Sequence, residues 1–558
     1  MNDPVWLSQY ESGVPRNIEY PDWTIVRFLL ESASQFPHHT AISFYGRPIT
    51  YRELDNVSNQ FAQALIGLGV KKEDRVAIML PNIPQTVIAY FGILKAGARI
   101  VHVNPLYVER ELEHQISDSK STIIIALDLF YEKIRNVKSK TSLQSIIVTG
   151  IRDYLPTILR FLYPIKAKKN KQWVEIKKVP PVYDFWQLLK EATSEHPNIK
   201  NKPEDLALLQ YTGGTTGVSK GVMLSHTNVV ANTLQCQYWM TDLQPGQEVF
   251  IGVLPYFHVY GMSTSQNLAI SLGGTQVLLP RFQADEVLKA IEKHRATVFC
   301  GIQAMFIAIN NHPRASSFDL SSLKVCMSGA GPLHAEVQKR FEDLTGAKLI
   351  EGYGLTESAP VTHCNPCRGT RKQGSIGVPF PDTSARIVDI ETGNETVSPG
   401  NIGELIISGP QVMAGYWNQP EETKNTIRDG WLYTGDSAKM DEDGFFYIVD
   451  RKKDMIKSGG ENVYPRELEE VLFRHPKIKD VVVVGLPHSL RDEAIKAYVV
   501  LKDGEHATDA EILNFCRENL AKFKVPRWVE FRAALPKNLV GKVLRRTLRE
   551  EELAKKKQ

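Results

Sequence analysis

Apolar runs of strand length alternate with polar and amphipathic stretches over the first part of the chain. The clearest runs lie at 41–45, 75–80, 100–103 and 122–126. Thr50 and Glu53 form the capping-box pattern of a helix start, and Thr24 is expected to cap the helix before them. Strands that alternate with helices at this spacing are typical of βαβ units. We therefore predict an α/β fold with largely parallel sheets.

The pattern changes after the strand-like run 446–449, where the charged cluster 450–454 follows. Beyond that cluster, Pro465 is placed to open a helix, and further strand-like and helical stretches indicate a compact module. We predict a large N-terminal α/β domain over 1–449, a hinge at 450–454 and a small α/β domain over 455–558.

Composition and charge narrow the class of protein. The 558 residues are 42% apolar, which is ordinary for a globular protein. The 67 basic and 63 acidic residues give a net charge of +4, so no nucleic-acid partner is expected. No apolar run reaches the roughly 18 residues of a membrane span, and the first residues lack a secretory pattern. Six cysteines in so long a chain fit a reducing compartment, and we expect a cytoplasmic protein.

The segment 154–178 departs from the α/β pattern. Its apolar and aromatic part, 154–163, is followed by six lysines and a single glutamate. One interpretation is peripheral contact with the anionic inner face of a membrane. The other is a solvated surface excursion of the chain.

Residues 211–221 concentrate glycines, hydroxyl side chains and one lysine directly after the apolar run 206–209. Glycines let backbone N–H groups face an anion, hydroxyls add donors or a magnesium ligand, and Lys220 adds a positive charge. In a Walker A loop the lysine opens a helix, whereas here the strand-like run 221–224 follows. The stretch predicts a phosphate-binding loop of another kind, with a flexible hairpin turn as the alternative.

From Thr212 to Lys220 this loop resembles the signature of the adenylate-forming superfamily, which includes acyl-CoA synthetases, luciferases and peptide-synthetase adenylation domains. The resemblance implies a large adenylate-forming domain and a small, mobile α/β domain that closes on it as a lid. It also implies nucleotide contacts along the loop, at Thr212, Gly213, Gly214, Thr215, Thr216, Gly217 and Lys220. Thr215 would in addition bind Mg²⁺.

A second motif follows the strand-like run 348–350. In it, glycines flank a tyrosine, and a carboxylate suited to magnesium ends the motif. By composition alone this is a turn with a half-buried tyrosine. The resemblance instead implies nucleotide contacts at Gly352, Tyr353, Gly354 and Thr356, with the tyrosine on the adenine and the threonine at the α-phosphate. Glu357 would bind Mg²⁺.

The C-terminal part carries further motif positions. Asp436, just past a Thr-Gly turn, is implied to bind the ribose hydroxyls together with Arg451. Lys453 and Lys457 correspond to lysines that contact the nucleotide in the long-chain branch of the family. Lys542 corresponds to the lysine that joins the attacking carboxylate to the phosphate, although taken alone it is one exposed lysine among many.

The sequence indicates the residues that would bind the acyl chain less clearly than those that would bind the nucleotide. The segment 254–262 resembles the part of these synthetases that separates the acyl pocket from the nucleotide. His258 is implied as a residue that gates this passage, and a core histidine held by hydrogen bonds is the alternative. Gly329 and neighbouring small residues are compatible with a long acyl tunnel. The resemblance is strongest to bacterial long-chain fatty acid–CoA ligases.

The implied reaction converts a fatty acid, ATP and coenzyme A into acyl-CoA, AMP and pyrophosphate through acyl-AMP. Lys542, Glu357 and Thr215 would be catalytic, and Mg²⁺ would be the metal ion. Medium-chain or aryl acids, and a carrier-protein thiol in place of coenzyme A, are alternatives within the family. A non-catalytic acyl or nucleotide sensor is an alternative of another class. A homodimer is compatible with the sequence.

Overall fold

A computed structural model describes residues 3–169, 174–176, 178–212, 219–458, 461–488, 492–537 and 543–555. The chain divides into two compact units. The larger unit comprises Leu7–Ser384 and Ser408–Gly430, and the smaller comprises Met1–Trp6, Ala385–Ile407 and Trp431–Gln558. The predicted hinge at 450–454 lies within the smaller unit, and the predicted domain boundaries stay a prediction.

Strands and helices alternate along most of the chain. The strands are β1 Thr40–Phe44, β2 Arg47–Thr50, β3 Arg75–Met79, β4 Arg99–His102, β5 Ile123–Leu127, β6 Ser145–Thr149, β7 Val182–Asp184, β8 Leu206–Thr212, β9 Lys220–Ser225, β10 Val249–Gly252, β11 Thr275–Leu278, β12 Val298–Gly301, β13 Val325–Ser328, β14 Lys348–Gly354, β15 Val361–Cys364, β16 Val378–Pro379, β17 Ser384–Val388, β18 Gly403–Ser408, β19 Gly415–Tyr416, β20 Ile427–Arg428, β21 Trp431–Met440, β22 Phe446–Arg451, β23 Ile456–Ser458, β24 Glu461–Val463, β25 Ile478–His488, β26 Asp492–Leu501 and β27 Trp528–Phe531. The α-helices are α1 Val26–Gln35, α2 Tyr51–Gly67, α3 Pro84–Lys95, α4 Glu109–Ser119, α5 Tyr131–Lys138, α6 Thr157–Lys169, α7 Phe185–Glu191, α8 His226–Trp239, α9 Val259–Gly261, α10 Leu268–Ser271, α11 Ala284–His294, α12 Gln303–Asn310, α13 Ala335–Thr345, α14 Pro420–Thr426, α15 Pro465–Phe473, α16 Asp509–Asn519 and α17 Arg545–Lys555. A π-helical segment, Met262–Asn267, joins α9 to α10, and short 3₁₀ helices include Ile151–Tyr154 and Thr356–Ser358.

Two sheets organise the larger unit. One has the strand order β16-β15-β14-β13-β12-β10-β11-β1-β2, and the other has the order β19-β9-β8-β4-β3-β5-β6-β7. Neighbouring strands from β14 to β1 and from β8 to β7 run parallel, whereas β2, β9, β15, β16 and β19 pair antiparallel with their neighbours. The predicted α/β fold with largely parallel sheets is therefore confirmed.

The second of these sheets is buried because its central strands are apolar almost throughout. Each contributes a fully or nearly fully buried side chain to one core: Ala77, Val101, Ile124, Val148 and Leu209. Near-continuous apolar strands are expected where helices cover both faces of a parallel sheet. This core fixes the carboxyl end of β8, where the glycine-rich loop begins.

The helix starts test two of the sequence predictions. The Thr50 side chain accepts a hydrogen bond from the Glu53 N–H at 3.2 Å, and the Glu53 carboxylate accepts one from the Thr50 N–H at 2.7 Å. This capping box is confirmed. The cap predicted at Thr24 is wrong, because α1 begins at Val26 after Ile25 and has no side-chain cap. At Thr24 it is the main-chain carbonyl that is used, accepting from the Arg27 N–H at 2.9 Å.

The smaller unit contains two sheets of mainly antiparallel strands. In one, β18 lies between β17 and β21, and β22 also pairs with β21. The other has the order β24-β23-β26-β25, with β27 parallel to β26. Pro465 opens α15, as the sequence predicted. In the part of the chain that the structure describes, no helix is both long enough and apolar enough to cross a membrane.

Candidate active site

The glycine-rich loop connects two paired strands. Thr212 ends β8 and Lys220 begins β9, and the two residues lie opposite each other in the antiparallel register. The lysine therefore opens a strand, which confirms that the loop is not of the Walker A kind. The predicted contacts Gly213, Gly214, Thr215, Thr216 and Gly217 lie outside the described residues.

Lys220 is held by side chains from the segment 415–426. Its ammonium group forms an ion pair with Glu422 of α14, and its Nζ lies 5.0 Å from the centroid of the Tyr416 ring. The lysine side chain is 17% exposed, so this pair is less screened by solvent than an ordinary surface pair. A phosphate bound at the loop would compete with Glu422 for the same cation.

Glu357 is fixed through both its main chain and its side chain. It lies in the 3₁₀ helix that Thr356 opens, and its carbonyl accepts from the Met413 N–H at 2.8 Å. The Tyr416 hydroxyl donates to its Oε1 at 2.8 Å. Burial, together with the charge of Glu357, raises the pKa of Tyr416, so the hydroxyl stays a donor. A carboxylate held in this way suits a hard cation such as Mg²⁺.

Tyr353 lies near the end of β14, opposite His363 of β15. The two rings meet edge to face, with their centroids 6.0 Å apart, and the tyrosine is half-buried. Burial lowers the pKa of His363 to about 3, so its ring is neutral near pH 7. A Cβ at Gly354 would lie 2.0 Å from the Pro360 carbonyl oxygen. Backbone packing alone therefore requires glycine at this position.

The smaller unit brings Asp436 and Arg451 together. The two residues lie opposite each other in β21 and β22, and Arg451 Nε lies 2.8 Å from Asp436 Oδ1. The aspartate side chain is only 2% exposed. The sequence predicted that both residues serve the same sugar, and the structure shows that they are paired.

The remaining predicted residues of the smaller unit are more exposed. Lys453 lies in the turn after β22, and Lys457 lies in β23, where its N–H donates to Glu493 at 3.1 Å. In the predicted hinge, Asp450 is buried and accepts from the Arg466 N–H at 2.8 Å. Lys542 lies outside the described residues, so its role stays a prediction.

The predicted gate residues of the larger unit meet at one tyrosine. His258 caps α9 by accepting from the Tyr260 N–H at its Nδ1, at 3.2 Å. Although His258 keeps partial contact with solvent, the surrounding protein lowers its pKa to about 4, so the ring is neutral near pH 7. A Cβ at Gly329 would lie 3.0 Å from the Tyr260 ring. This geometry fits the alternative of a histidine held by hydrogen bonds, and the gating role stays a prediction.

Comparison with known protein families shows to which family this chain belongs. A sequence model described as "AMP-binding enzyme" matches residues 29–417, well over half of the chain. The chain belongs to this family of AMP-binding enzymes. A second model, described as "AMP-binding enzyme C-terminal domain", matches residues 467–542 of the enzyme. The resemblance drawn from the loop and the later motifs is therefore confirmed.

The similarity to individual proteins extends over nearly the full length of this AMP-binding enzyme. A protein of Bacillus subtilis (strain 168) is 48% identical over 549 residues, which is 98% of each chain, and one of Escherichia coli O157:H7 is 43% identical over 554 residues, again 98% of each. Both are named long-chain-fatty-acid–CoA ligase. The crystal structure of ATP-bound MatB from Rhodopseudomonas palustris is 30% identical, with a TM-score of 0.84 over 95% of this chain and 99% of that one. These matches confirm the adenylate-forming fold.

Sequence reasoning missed Tyr416 and Glu422. Both lie between the motif that ends at Glu357 and the motif residue Asp436, in a segment to which no role was assigned. The available signal was a Gly-Tyr pair followed by Pro420 and two acidic residues, Glu421 and Glu422, which is the start of a helix with carboxylates in its first turn. In the structure, this helix start supplies the acidic partner of Lys220.

Proposed function

We propose that this AMP-binding enzyme is a long-chain fatty acid–CoA ligase, which forms acyl-CoA, AMP and pyrophosphate from a fatty acid, ATP and coenzyme A. The observation that carries the proposal is the 48% identity, over 98% of both chains, to the Bacillus subtilis relative of that name. The contacts that Lys220 and Glu357 each make with Tyr416 support it, because both residues stand at motif positions of the family.

The first step joins two anions. A carboxylate oxygen of the fatty acid attacks the α-phosphorus of ATP, and pyrophosphate leaves with the electrons of the broken P–O bond. Like charges face each other along this path, so positioned cations supply most of the catalysis. We assign Lys220 to the phosphates and Lys542 to the attacking carboxylate. Lys220 would exchange Glu422 for a phosphate oxygen when ATP binds.

Glu357 and Thr215 are the residues that would hold Mg²⁺. The fit rests on Glu357, whose carboxylate is a hard oxygen ligand with Oε1 already oriented by Tyr416. When bound, the ion neutralises charge on the phosphates. The chain's own part is to fix the direction of the Glu357 carboxylate through the Tyr416 hydroxyl.

The adenosine part of ATP would be bound by an uncharged aromatic ring and by a carboxylate that forms an ion pair with an arginine. We assign Tyr353 to the adenine, because a half-buried ring flanked by glycine backbone offers a flat apolar face. Asp436 would accept hydrogen bonds from the ribose hydroxyls. The 2.8 Å ion pair with Arg451 holds the buried carboxylate in place, which favours its role as an acceptor.

The second step releases AMP. The thiol sulfur of coenzyme A attacks the acyl carbonyl carbon of acyl-AMP, a thioester bond forms, and the bond to the phosphate oxygen of AMP breaks. The thiol proton leaves to solvent or to the departing phosphate. Acyl-AMP is a mixed anhydride, so water must be kept from its carbonyl until the thiol arrives.

Product analysis tests the proposal. The purified enzyme is incubated with ATP, Mg²⁺, coenzyme A and a mixture of acids from acetate to oleate plus aryl acids, and mass spectrometry follows AMP and each thioester. Long-chain acyl-CoA is expected as the main product. Preferential aryl-CoA or medium-chain acyl-CoA would overturn the substrate class. Acyl-AMP without thioester would indicate a carrier-protein acceptor, and the absence of turnover would indicate a sensor.

Replacement of one lysine tests the assigned mechanism. Lys542→Ala is expected to lower acid-dependent pyrophosphate release by about a hundredfold or more, the scale of losing one positioned charge at a transition state. Lys522→Ala is the matched control, since Lys522 is an exposed lysine of the same unit. Full activity in Lys542→Ala would refute the assignment.

A further inference from the structure

Helix α6 exposes a continuous apolar surface. Ile158, Phe161 and Ile165 are 74%, 76% and 70% exposed, and Leu162 is 54% exposed. Among the residues that the structure describes, no large apolar side chain outside this helix exceeds 61%. Positions 158, 161, 162 and 165 follow one another at the spacing of a single helix face. Leu159 is also exposed, so the stripe, which we call the α6 apolar face, is at least as wide as a core-facing stripe.

The opposite side of α6 faces the protein. Ala167 is buried and Tyr163 is half-buried, and both lie about half a turn from the α6 apolar face. The start of the helix is anchored by the preceding 3₁₀ turn, where Tyr154 is buried against Trp186, with the ring centroids 5.5 Å apart. The Arg47 guanidinium lies over the same tyrosine at 5.1 Å. These contacts orient the helix, and the α6 apolar face therefore points away from the protein.

Positive charge is concentrated in the sequence of α6 and of the residues that follow it. The segment 157–178 carries seven basic residues and one acidic residue, a net charge of +6, and the whole chain carries +4. All other residues together therefore carry a net charge of −2. Within α6 itself, Lys168 and Lys169 are exposed on the side of the apolar face, and the sequence of the helix contains no acidic residue. The surface around the apolar face is thus selective for an anionic partner.

We propose that α6 docks on a lipid bilayer that contains anionic lipids. The helix would lie along the surface, with the α6 apolar face in the boundary between headgroups and acyl chains, and the basic residues at the level of the lipid phosphates. A helix of 13 residues is too short to span the bilayer, in keeping with this orientation. Charge argues against a second copy of the chain, since a two-fold contact would place two segments of +6 side by side.

The docking proposal does not depend on the proposed catalytic activity. One consequence of docking, however, rests on that proposed function. If the enzyme activates long-chain fatty acids, its substrate is dissolved mainly in bilayers. A docked enzyme would then collect the acid from the lipid phase. The experiment below measures docking and catalysis separately, so that each can fail alone.

Vesicle co-sedimentation tests the apolar part of the proposal. The full-length protein is mixed with vesicles of phosphatidylcholine and phosphatidylglycerol, and the bound fraction is measured against lipid concentration. Phe161→Ser combined with Ile165→Ser is expected to weaken binding at least about tenfold, because two large side chains lose their apolar contact. The matched control is Leu106→Ser with Val108→Ser, two apolar residues 61% and 59% exposed elsewhere on the same unit. This control is expected to bind like the wild type.

The electrostatic part is tested with the same assay. Vesicles of pure phosphatidylcholine are expected to bind several-fold less protein, since each basic side chain near an anionic surface strengthens binding about fivefold. Raising the salt from about 0.1 M to about 1 M shortens the screening length from roughly 10 Å to 3 Å and should also release the protein. Thermal unfolding and thioester formation with detergent-dispersed acid are expected to be unchanged in both double variants.

Three results would overturn the proposal. The first is a wild-type protein that sediments with neither kind of vesicle. The second is a Phe161→Ser, Ile165→Ser variant that binds as strongly as the wild type. The third is a wild type that is dimeric in sedimentation velocity while the double variant is monomeric, with no vesicle binding by either, which would assign the α6 apolar face to a second copy.

Discussion

The Tyr416 hydroxyl donates a 2.8 Å hydrogen bond to Oε1 of Glu357, across 59 residues of sequence. Pairing of β19 with β9 places the tyrosine there, and the Met413 N–H bond to the Glu357 carbonyl ties the two segments a second time. The same tyrosine ring lies 5.0 Å from Lys220 Nζ. One side chain therefore orients both a proposed metal ligand and a proposed phosphate contact.

Tyr416→Phe removes the hydroxyl that donates this hydrogen bond and keeps the aromatic ring. We expect the Mg²⁺ concentration needed for half-maximal, acid-dependent pyrophosphate release to rise about tenfold, because a hydrogen bond to a charged group is worth about 1.5–3 kcal/mol. The fold should persist, since the ring and its packing remain. The measurement is a Mg²⁺ titration of pyrophosphate release at saturating ATP and acid.

Tyr10→Phe is the control for that substitution. It also removes one hydroxyl of the larger unit, which donates to the Pro379 carbonyl at 2.8 Å, but it leaves Glu357 untouched. Its Mg²⁺ dependence should match that of the wild type. An equal shift in both variants would mean that Tyr416 acts through stability and not by orienting Glu357.

Glu422→Gln removes the charge that pairs with Lys220. If Glu422 competes with a phosphate for the lysine, we expect the KM for ATP to fall about two- to fivefold, with little change in stability, since ion pairs near the surface are worth about 0–1 kcal/mol. Steady-state kinetics with varied ATP gives the result. Asp343→Asn, which breaks the exposed pair with Lys339, is the control. A raised KM for ATP would show instead that Glu422 positions the lysine.

Local signals in the sequence were sufficient for much of the fold. The capping box of Thr50 and Glu53 and the helix start at Pro465 are confirmed, because each depends on a few adjacent residues. Thr24 shows the limit of such signals, since its hydroxyl is not used and α1 begins two residues later. Helix ends are set partly by tertiary packing, which a local pattern does not contain.

In the candidate site, too, the residues of local motifs were predicted and their partners from distant segments were not. Motif glycines and acids identified the family, but the partners that orient them come from distant segments. Tyr416 and Glu422 were missed because their contacts depend on the pairing of β19 with β9, which no short-range pattern indicates. Conversely, Gly354 was predicted only as a nucleotide contact, whereas the Pro360 carbonyl already excludes a side chain there. Such contacts depend on how distant segments pair and pack, and local sequence patterns do not contain this information.

Gly329→Ala tests the contact behind the predicted gate. A Cβ there would lie 3.0 Å from the Tyr260 ring, whose hydroxyl also donates to the Met327 carbonyl at 3.0 Å, so the ring cannot shift freely. We expect a loss of about 1–3 kcal/mol of stability from overpacking, with altered preference among acyl chain lengths. Gly331→Ala is the matched control, because no atom lies within 4 Å of its added Cβ. Equal thermal unfolding of the two variants would contradict the expected clash.

His226 predicts a loss of stability at mildly acidic pH. The residue is 2% exposed, its Nδ1 accepts from the Ile25 N–H at 3.3 Å, and burial lowers its pKa from 6.5 to about 4. Between these two values the unfolded chain binds a proton that the folded chain does not. Stability is therefore fully present above about pH 6.5 and falls with decreasing pH, by at most about 1.4 kcal/mol per pH unit from this group.

His226→Asn keeps an acceptor near the Ile25 N–H but cannot be protonated. We expect it to be less stable than the wild type near pH 7, because volume is lost in the core, yet to lose less stability between about pH 7 and pH 5. Urea unfolding followed by tryptophan fluorescence measures both quantities. His506→Asn, at an exposed histidine that water hydrates in both states, should keep the wild-type slope. If His226→Asn kept the wild-type slope as well, the acid sensitivity would have to come from other buried groups. His363 and His102 are two such groups, because burial lowers the pKa of each to about 3.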